Sequence, residues 1–173
     1  MNTDKPTTTP IAGVLYTEPD QNGRVEQLAG SLELPIITNS DGYDFVLSYI
    51  DGRLNLSTPN DSSNPGKIYV EFIKGAAGFR RKQGRKEMLI RAIGFRKNQS
   101  LSVLDTTGGM GTDSFLMAGY GCRVHIIERN QIVAALLQNG LWRASQHVDT
   151  CDIAKRIHLR SRTVISSSAV SLA

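Results

Sequence analysis

The sequence predicts an α/β chain: a small β-rich lobe followed by a doubly wound domain built on a parallel sheet. Three observations carry this. Short runs rich in β-branched and aromatic residues, divided by turn signals, occupy the chain up to Ile73. Beyond Lys86 the apolar runs alternate between strand-like and helix-like, in the order β-α-β-α-(β), which implies parallel strands joined by crossovers. A glycine turn, LDTTGGMGTDSF, joins the first of those strands to its helix. The expected organisation is a β-rich lobe with a polar tail over residues 1–66, a basic segment with a connecting helix over 67–100, and the α/β part over 101–173.

The elements follow in order. MNTDKPTTTP reads as a flexible tail, and IAGVLY (Ile11–Tyr16) as a strand ending in the turn-rich EPDQNG. Val25–Gly30 suits a short helix. DFVLSYI and RLNLS, separated by Asp51-Gly52, form a hairpin with a two-residue turn. TPNDSSNPG is a loop by composition, and IYVEFI (Ile68–Ile73) is a further strand. KEMLIRAIGF (Lys86–Phe95) places Met88, Leu89, Ala92 and Ile93 on one helical stripe, with Gly94 as its stop. SLSVLD is a strand ending on an acid, TDSFLMAGY a helix closed by Gly119 or Gly121, and CRVHIIE a second strand ending on an acid. NQIVAALLQNGLWRAS is an apolar helix whose Trp142 is expected in the core. A third strand is expected around Thr163–Ser166.

Composition narrows the function classes. With 40% hydrophobic residues in 173, the chain can bury a core, which excludes a disordered polypeptide. No apolar run reaches the roughly 20 residues that span a bilayer, and the polar start lacks a secretory signal, so a cytoplasmic protein is expected. Cys122 and Cys151 offer neither a disulfide framework nor metal-ligand spacing, and no metal is expected. The net charge is +4. GFRRKQGRK concentrates Arg80, Arg81, Lys82, Arg85 and Lys86 with no acid among them, a block that alone accounts for the excess. Clustered cations of this kind suit a phosphate backbone, where each neutralised phosphate releases counterions; a solvated charged face has the same composition.

The glycine turn carries the chemistry. Gly109 and Gly111 remove side chains where a ligand must approach the backbone, and a helix beginning near Thr112 presents unpaired N–H groups. A dinucleotide and S-adenosylmethionine both fit this much. The dinucleotide fingerprint G-x-G-x-x-G fails at Ser114, which stands where its third glycine belongs. Acids flank the turn at Asp105 and Asp113; they repel a pyrophosphate and attract a sulfonium and an α-ammonium. Glu128, ending the second strand, can accept both hydroxyls of an adenosine ribose, with the adenine near Arg129. Asp113 also suits the first turn of any helix. The order of these features favours S-adenosylmethionine.

LDTTGGMGTDSFLMAGYGCRVHIIERNQIVAALLQNGL resembles the cofactor-binding core of ribosomal RNA small subunit methyltransferase J, and IYVEFIKGAAGFRRKQGRKEMLIRAIG is similar to that family's basic segment. The resemblance runs from about Ile11 to Leu159. It implies a Rossmann-like class I S-adenosylmethionine-dependent methyltransferase fold, acting on the exocyclic N2 of a guanosine in 16S ribosomal RNA, with the small subunit or its RNA as partner. It implies cofactor contacts at Thr112, Asp113, Glu128 and Arg129, and at a serine pair after the third strand, for which Ser167 and Ser168 are the candidates. It also implies an Asp-Pro-x-aromatic motif after a fourth strand, holding the target nitrogen. All six prolines precede the glycine turn. The expectation is therefore a C-terminally truncated relative, whether fragment, frameshifted product or short homologue, with an incomplete sheet that leaves LSVLD as an exposed apolar edge. No catalytic residue is assigned.

Two other classes compete. A non-catalytic RNA-binding or ribosome-associated protein would keep the basic segment with a vestigial cofactor pocket. A nicotinamide-dependent oxidoreductase is disfavoured by Ser114 and Asp105.

Overall fold

The computed structural model describes residues 11–16, 23–59, 66–74, 88–96 and 100–161. The chain divides into two compact units, Met1–Tyr69 and Val70–Ala173.

The first unit is a four-stranded sheet in the order β2-β1-β3-β4, with β1 Ala12–Leu15, β2 Ile36–Ile37, β3 Phe45–Ile50 and β4 Arg53–Ser57. β1 pairs in parallel with β2 and β3, and β3 pairs antiparallel with β4. Asp51 and Gly52 close the β3–β4 hairpin, both at positive φ (52° and 72°), as a tight turn matched to strand twist requires. Helix α1, Arg24–Leu32, buries Val25, Leu28 and Ala29, while Val14, Ile37, Val46, Leu47 and Leu54 complete the apolar core. Strand β2, two residues directly after Pro35, is too short to leave a pattern in the sequence; it is fixed by pairing, with Tyr16 N–H donating to the Ile37 carbonyl at 2.9 Å.

The second unit carries the parallel sheet β5-β6-β7: β5 Ser102–Asp105, β6 Arg123–Glu128 and β7 Ile157–Ser161. Helix α3, Thr112–Gly119, connects β5 to β6; α4, Gln131–Ser145, and the single turn α5, Cys151–Ala154, connect β6 to β7. Along β6 the pleat buries Val124, Ile126 and Glu128 and exposes Arg123 and Ile127. Asn130 caps α4, its Oδ1 accepting the N–H groups of Ile132 (2.9 Å) and Val133 (3.2 Å). Val124 and Ile126 join Phe115, Met117, Leu136, Leu137 and Leu141 in the core. The fold is the expected Rossmann-like α/β arrangement. β5 is an edge strand among the described residues, and its Leu104 is 61% exposed.

Four sequence expectations are corrected. Ile68–Ile73 is not a strand: only Ile68 bridges to Leu56, and Val70 and Phe72 turn inward instead. The backbone groups of this stretch find side-chain partners. Glu71 Oε1 accepts the N–H of Ile73 (2.8 Å) and of Lys74 (3.3 Å), and the Arg143 guanidinium donates to the Val70 carbonyl. Phe72 stacks on Phe115 with centroids 4.2 Å apart, and Gly140 leaves room for Val70, since a Cβ there would meet Val70 Cγ1 at 2.4 Å. The third strand of the sheet is Ile157–Ser161, where Ile157 and Leu159 alternate with His158 and Arg160; the expected Thr163–Ser166 lies outside the described residues. Helix α2, Met88–Ala92, buries Ile90 and leaves Met88 80% exposed, so the apolar stripe faces another way. Trp142 is not in the core; it is 53% exposed on α4.

Candidate functional site

The site is built where β5 ends. Asp105 closes the strand, and its carboxylate organises the turn that follows. Oδ1 accepts the Thr107 N–H at 3.0 Å and the Thr107 hydroxyl at 3.4 Å; Oδ2 accepts the hydroxyl of the fully buried Ser114 at 2.5 Å. The turn is closed by the Gly111 N–H donating to the Gly108 carbonyl at 2.7 Å. Gly111, at φ 73°, is the residue from which α3 starts, and no side chain caps that end. The first helical turn therefore faces the cavity with a partial positive charge and no side-chain cap.

The glycines are needed for different reasons. A Cβ at Gly108 would lie 2.2 Å from Ile126 Cγ2, so that position is glycine to let the turn sit down on β6. A Cβ at Gly111 would meet Leu137 Cδ1 at 2.5 Å in addition to the strain of its positive φ. At Gly109, also at positive φ, the nearest atom to such a Cβ is the Thr107 carbonyl oxygen at 3.7 Å, an ordinary contact, so the backbone conformation and not a clash asks for glycine there.

Glu128 reaches this turn from the end of β6. Its Oε2 accepts the Gly109 N–H at 3.0 Å and its Oε1 accepts the Asn130 N–H at 2.8 Å. The side chain is buried within the loop, yet each carboxylate oxygen keeps a lone pair for one more donor. Arg129 follows it, exposed.

A cavity of about 670 Å³ opens over the turn, lined by Asp105, Gly109, Gly111, Thr112 and Asp113 with apolar walls from Leu89, Ile93 and Met117. This size is that of sites for small organic ligands. The structure thus brings together Asp105, Gly109, Gly111, Thr112 and Asp113 in one cavity, and ties Glu128 to Gly109. The basic residues Arg80, Arg81, Lys82, Arg85 and Lys86 and the serines Ser167 and Ser168 lie outside the described residues. Sequence reasoning saw Ser114 only as a missing glycine; its bond to Asp105, nine residues earlier, arises when the turn folds back. Among the described residues no group of three or more His, Cys, Asp or Glu side chains could hold a metal ion. No helix of the described residues is long and apolar enough to cross a membrane. Burial raises the Cys122 thiol above its ordinary pKa, which fits a structural role.

A family model described as "Putative SAM-dependent methyltransferase" matches residues 27–170. Among curated proteins the chain is 38% identical over 134 residues to ribosomal RNA small subunit methyltransferase J of Coxiella burnetii (strain Dugway 5J108-111), covering 76% of this chain and 52% of that protein. It is 39% identical over 151 residues to the protein of the same name from Thioalkalivibrio sulfidiphilus, covering 84% of this chain and 58% of that one. The chain thus spans little more than half the length of these relatives. A crystal structure of a SAM-dependent methyltransferase from Neisseria gonorrhoeae superposes with a TM-score of 0.69 at 26% identity, covering 87% of this chain and 59% of that one.

Proposed function

Because the chain belongs to this SAM-dependent methyltransferase family, we propose that it binds S-adenosylmethionine over the glycine turn and serves methyl transfer to the exocyclic N2 of a guanosine in 16S ribosomal RNA. The relatives' shared name supports the substrate class, and the resemblance of the glycine-turn sequence supports the guanine amine.

One observation carries the cofactor reading: the glycine turn has carboxylates at Asp105 and Asp113 in the cavity it lines. The cavity therefore offers negative charge and acceptors to a ligand. That suits a sulfonium and an α-ammonium and opposes a pyrophosphate, which would meet like charge at both ends of the turn. When bound, S-adenosylmethionine supplies a methyl group activated by its positive sulfur.

The chain's own residues then have separable tasks. Asp105 and Asp113 would attract the cationic amino-acid end, and the α3 N–H groups near Thr112 would take its carboxylate. Glu128 would use its remaining lone pairs for the ribose hydroxyls, with Arg129 beside the adenine. Leu89, Ile93 and Met117 would offer apolar contact to the ligand. Outside the described residues, Arg80, Arg81, Lys82, Arg85 and Lys86 would neutralise RNA phosphates and set position without reading sequence. An enzyme with this substrate works where ribosomes are assembled, in the cytoplasm.

The test is transfer of tritiated methyl from labelled S-adenosylmethionine to small-subunit ribosomal RNA by the 173-residue chain. Label appearing in guanine N2 supports the reading. RNA bound with cofactor present but no label transferred would favour a non-catalytic RNA-binding protein.

A further inference from the structure

Residues 70–74 follow the isolated bridge at Ile68 and belong to no strand or helix, yet they bury Val70 and Phe72 almost completely. Irregular backbone in a core needs partners for its polar groups, and α4 supplies them here. The Arg143 guanidinium donates to the Val70 carbonyl and pairs with the Glu71 carboxylate at 3.1 Å, while its Nε donates to Asn139 Oδ1 at 3.2 Å. Gly140 carries no side chain where Val70 packs; a Cβ there would meet Val70 Cγ1 at 2.4 Å and Phe72 Cε2 at 3.4 Å. A glycine and an arginine of one helix thus fix a short segment, and what that segment delivers is the placement of a single ring.

The ring lies against the glycine turn. Phe72 Cζ is 3.2 Å from the point where a Gly111 Cβ would stand, and the ring stacks on Phe115 with planes 7° from parallel. Gly111 is the residue from which α3 starts, and the Phe115 N–H donates to its carbonyl at 2.8 Å. Phe72 therefore touches both ends of the first turn of that helix. It is absent from the lining of the cavity over the turn, so any effect on a ligand passes through Gly111 and Phe115. Resting on the reading that S-adenosylmethionine binds over this turn, we propose that Phe72 is a positioning residue for the amino-acid end of the cofactor. The flat ring sets the place and direction in which the first N–H groups of α3 meet the cofactor carboxylate, and Arg143 acts through Phe72 by holding its segment to α4. The adenosine end is independent of the ring, because Glu128 reaches Gly109 from the end of β6.

The experiment compares two ligands by calorimetric titration of the full chain: S-adenosylhomocysteine, which has the amino-acid end, and 5′-methylthioadenosine, which lacks it. Phe72→Leu should weaken S-adenosylhomocysteine about two- to 30-fold, the scale on which residues without ligand contact modulate a site, and leave 5′-methylthioadenosine unchanged. Arg143→Lys keeps the ring in the core but gives up the forked contact with Val70 and Glu71. It should show the same ligand selectivity with a smaller loss, and it keeps the test readable if Phe72→Leu does not fold by far-UV circular dichroism. In the double variant the losses should be less than additive, since one residue acts through the other. Equal losses for both ligands, or unchanged affinity for both in folded variants, would overturn the positioning role and leave Phe72 as a core residue. Wild-type chain that binds neither ligand would overturn the cofactor reading itself.

Discussion

The Glu128 carboxylate accepts the Gly109 N–H at 3.0 Å, joining the end of β6 to the turn that leaves β5. The residue proposed to hold a ribose thus also builds the glycine turn. With its other oxygen on Asn130 N–H, Glu128 links the glycine turn to the entry of α4, which Asn130 caps. The ribose role proposed for Glu128 would thus be coupled to stability at one side chain.

Glu128→Ala should therefore weaken binding of S-adenosylhomocysteine and destabilise the fold, each by about 1–3 kcal/mol, the range for a lost charge-assisted hydrogen bond. Calorimetric titration gives the first quantity and urea unfolding the second. A loss of stability with unchanged affinity would sink the ribose assignment and leave the structural role.

Ser114 replaces a glycine of the dinucleotide pattern with a hydroxyl that donates to Asp105 at 2.5 Å. Ser114→Ala frees Asp105 Oδ2 from its orientation and should weaken S-adenosylhomocysteine by about 1–3 kcal/mol. 5′-Methylthioadenosine, which lacks the amino-acid end, should bind wild type and variant alike. Equal losses for both ligands would mean that Ser114 only supports the loop.

Gly111→Ala meets two obstacles, a backbone at φ 73° and a Leu137 methyl 2.5 Å from the new Cβ. The cost should be about 2–4 kcal/mol, from left-handed strain plus overpacking. Adding Leu137→Ala removes only the clash. In urea melts the second change should then cost less in the Gly111→Ala background than in wild type; strict additivity would show that no clash exists.

The Glu71–Arg143 ion pair, at 3.1 Å, predicts an acid-sensitive element. Burial pushes the Glu71 carboxyl up, but the Ile73 N–H, the Arg143 guanidinium and the Lys74 N–H together hold it below its ordinary value of 4.5. A carboxyl lowered in the folded state stabilises the protein fully above its unfolded pKa, and the stabilisation is lost as pH falls through the folded value. Stability measured from neutral pH downward should therefore begin to fall near pH 4.5 and go on falling below it, and Glu71→Gln should flatten that limb. An unchanged acid limb in the variant would assign it to other carboxylates.

Much of the glycine turn's conformation is legible in the sequence because its requirements are local. Glycines at 109 and 111, an acid on either side and an acid ending the next strand are all set by spacing, and the Asp51-Gly52 hairpin likewise by two adjacent residues at positive φ. The misses share the opposite character. Val70 and Phe72 have strand propensity, yet the Arg143 guanidinium, 73 residues beyond Val70, takes the Val70 carbonyl. Trp142 sits in an apolar helix whose buried face is set by its packing partners, so its exposure was not readable from composition. The strand Ile157–Ser161, with the alternation that a half-buried sheet needs, lies before the segment where a strand is expected. The bonds of Ser114 and Glu128 to the turn exist only once β5, β6 and α3 are in place.

An acid-flanked glycine turn should select S-adenosylmethionine over a dinucleotide. Calorimetric titration of the 173-residue chain with S-adenosylhomocysteine, and separately with NAD, tests it most directly. Saturable, one-to-one binding of S-adenosylhomocysteine, weakened in Glu128→Ala, with no heat from NAD, is the expected result. Preferential binding of NAD, or binding of neither by the folded chain, would contradict it.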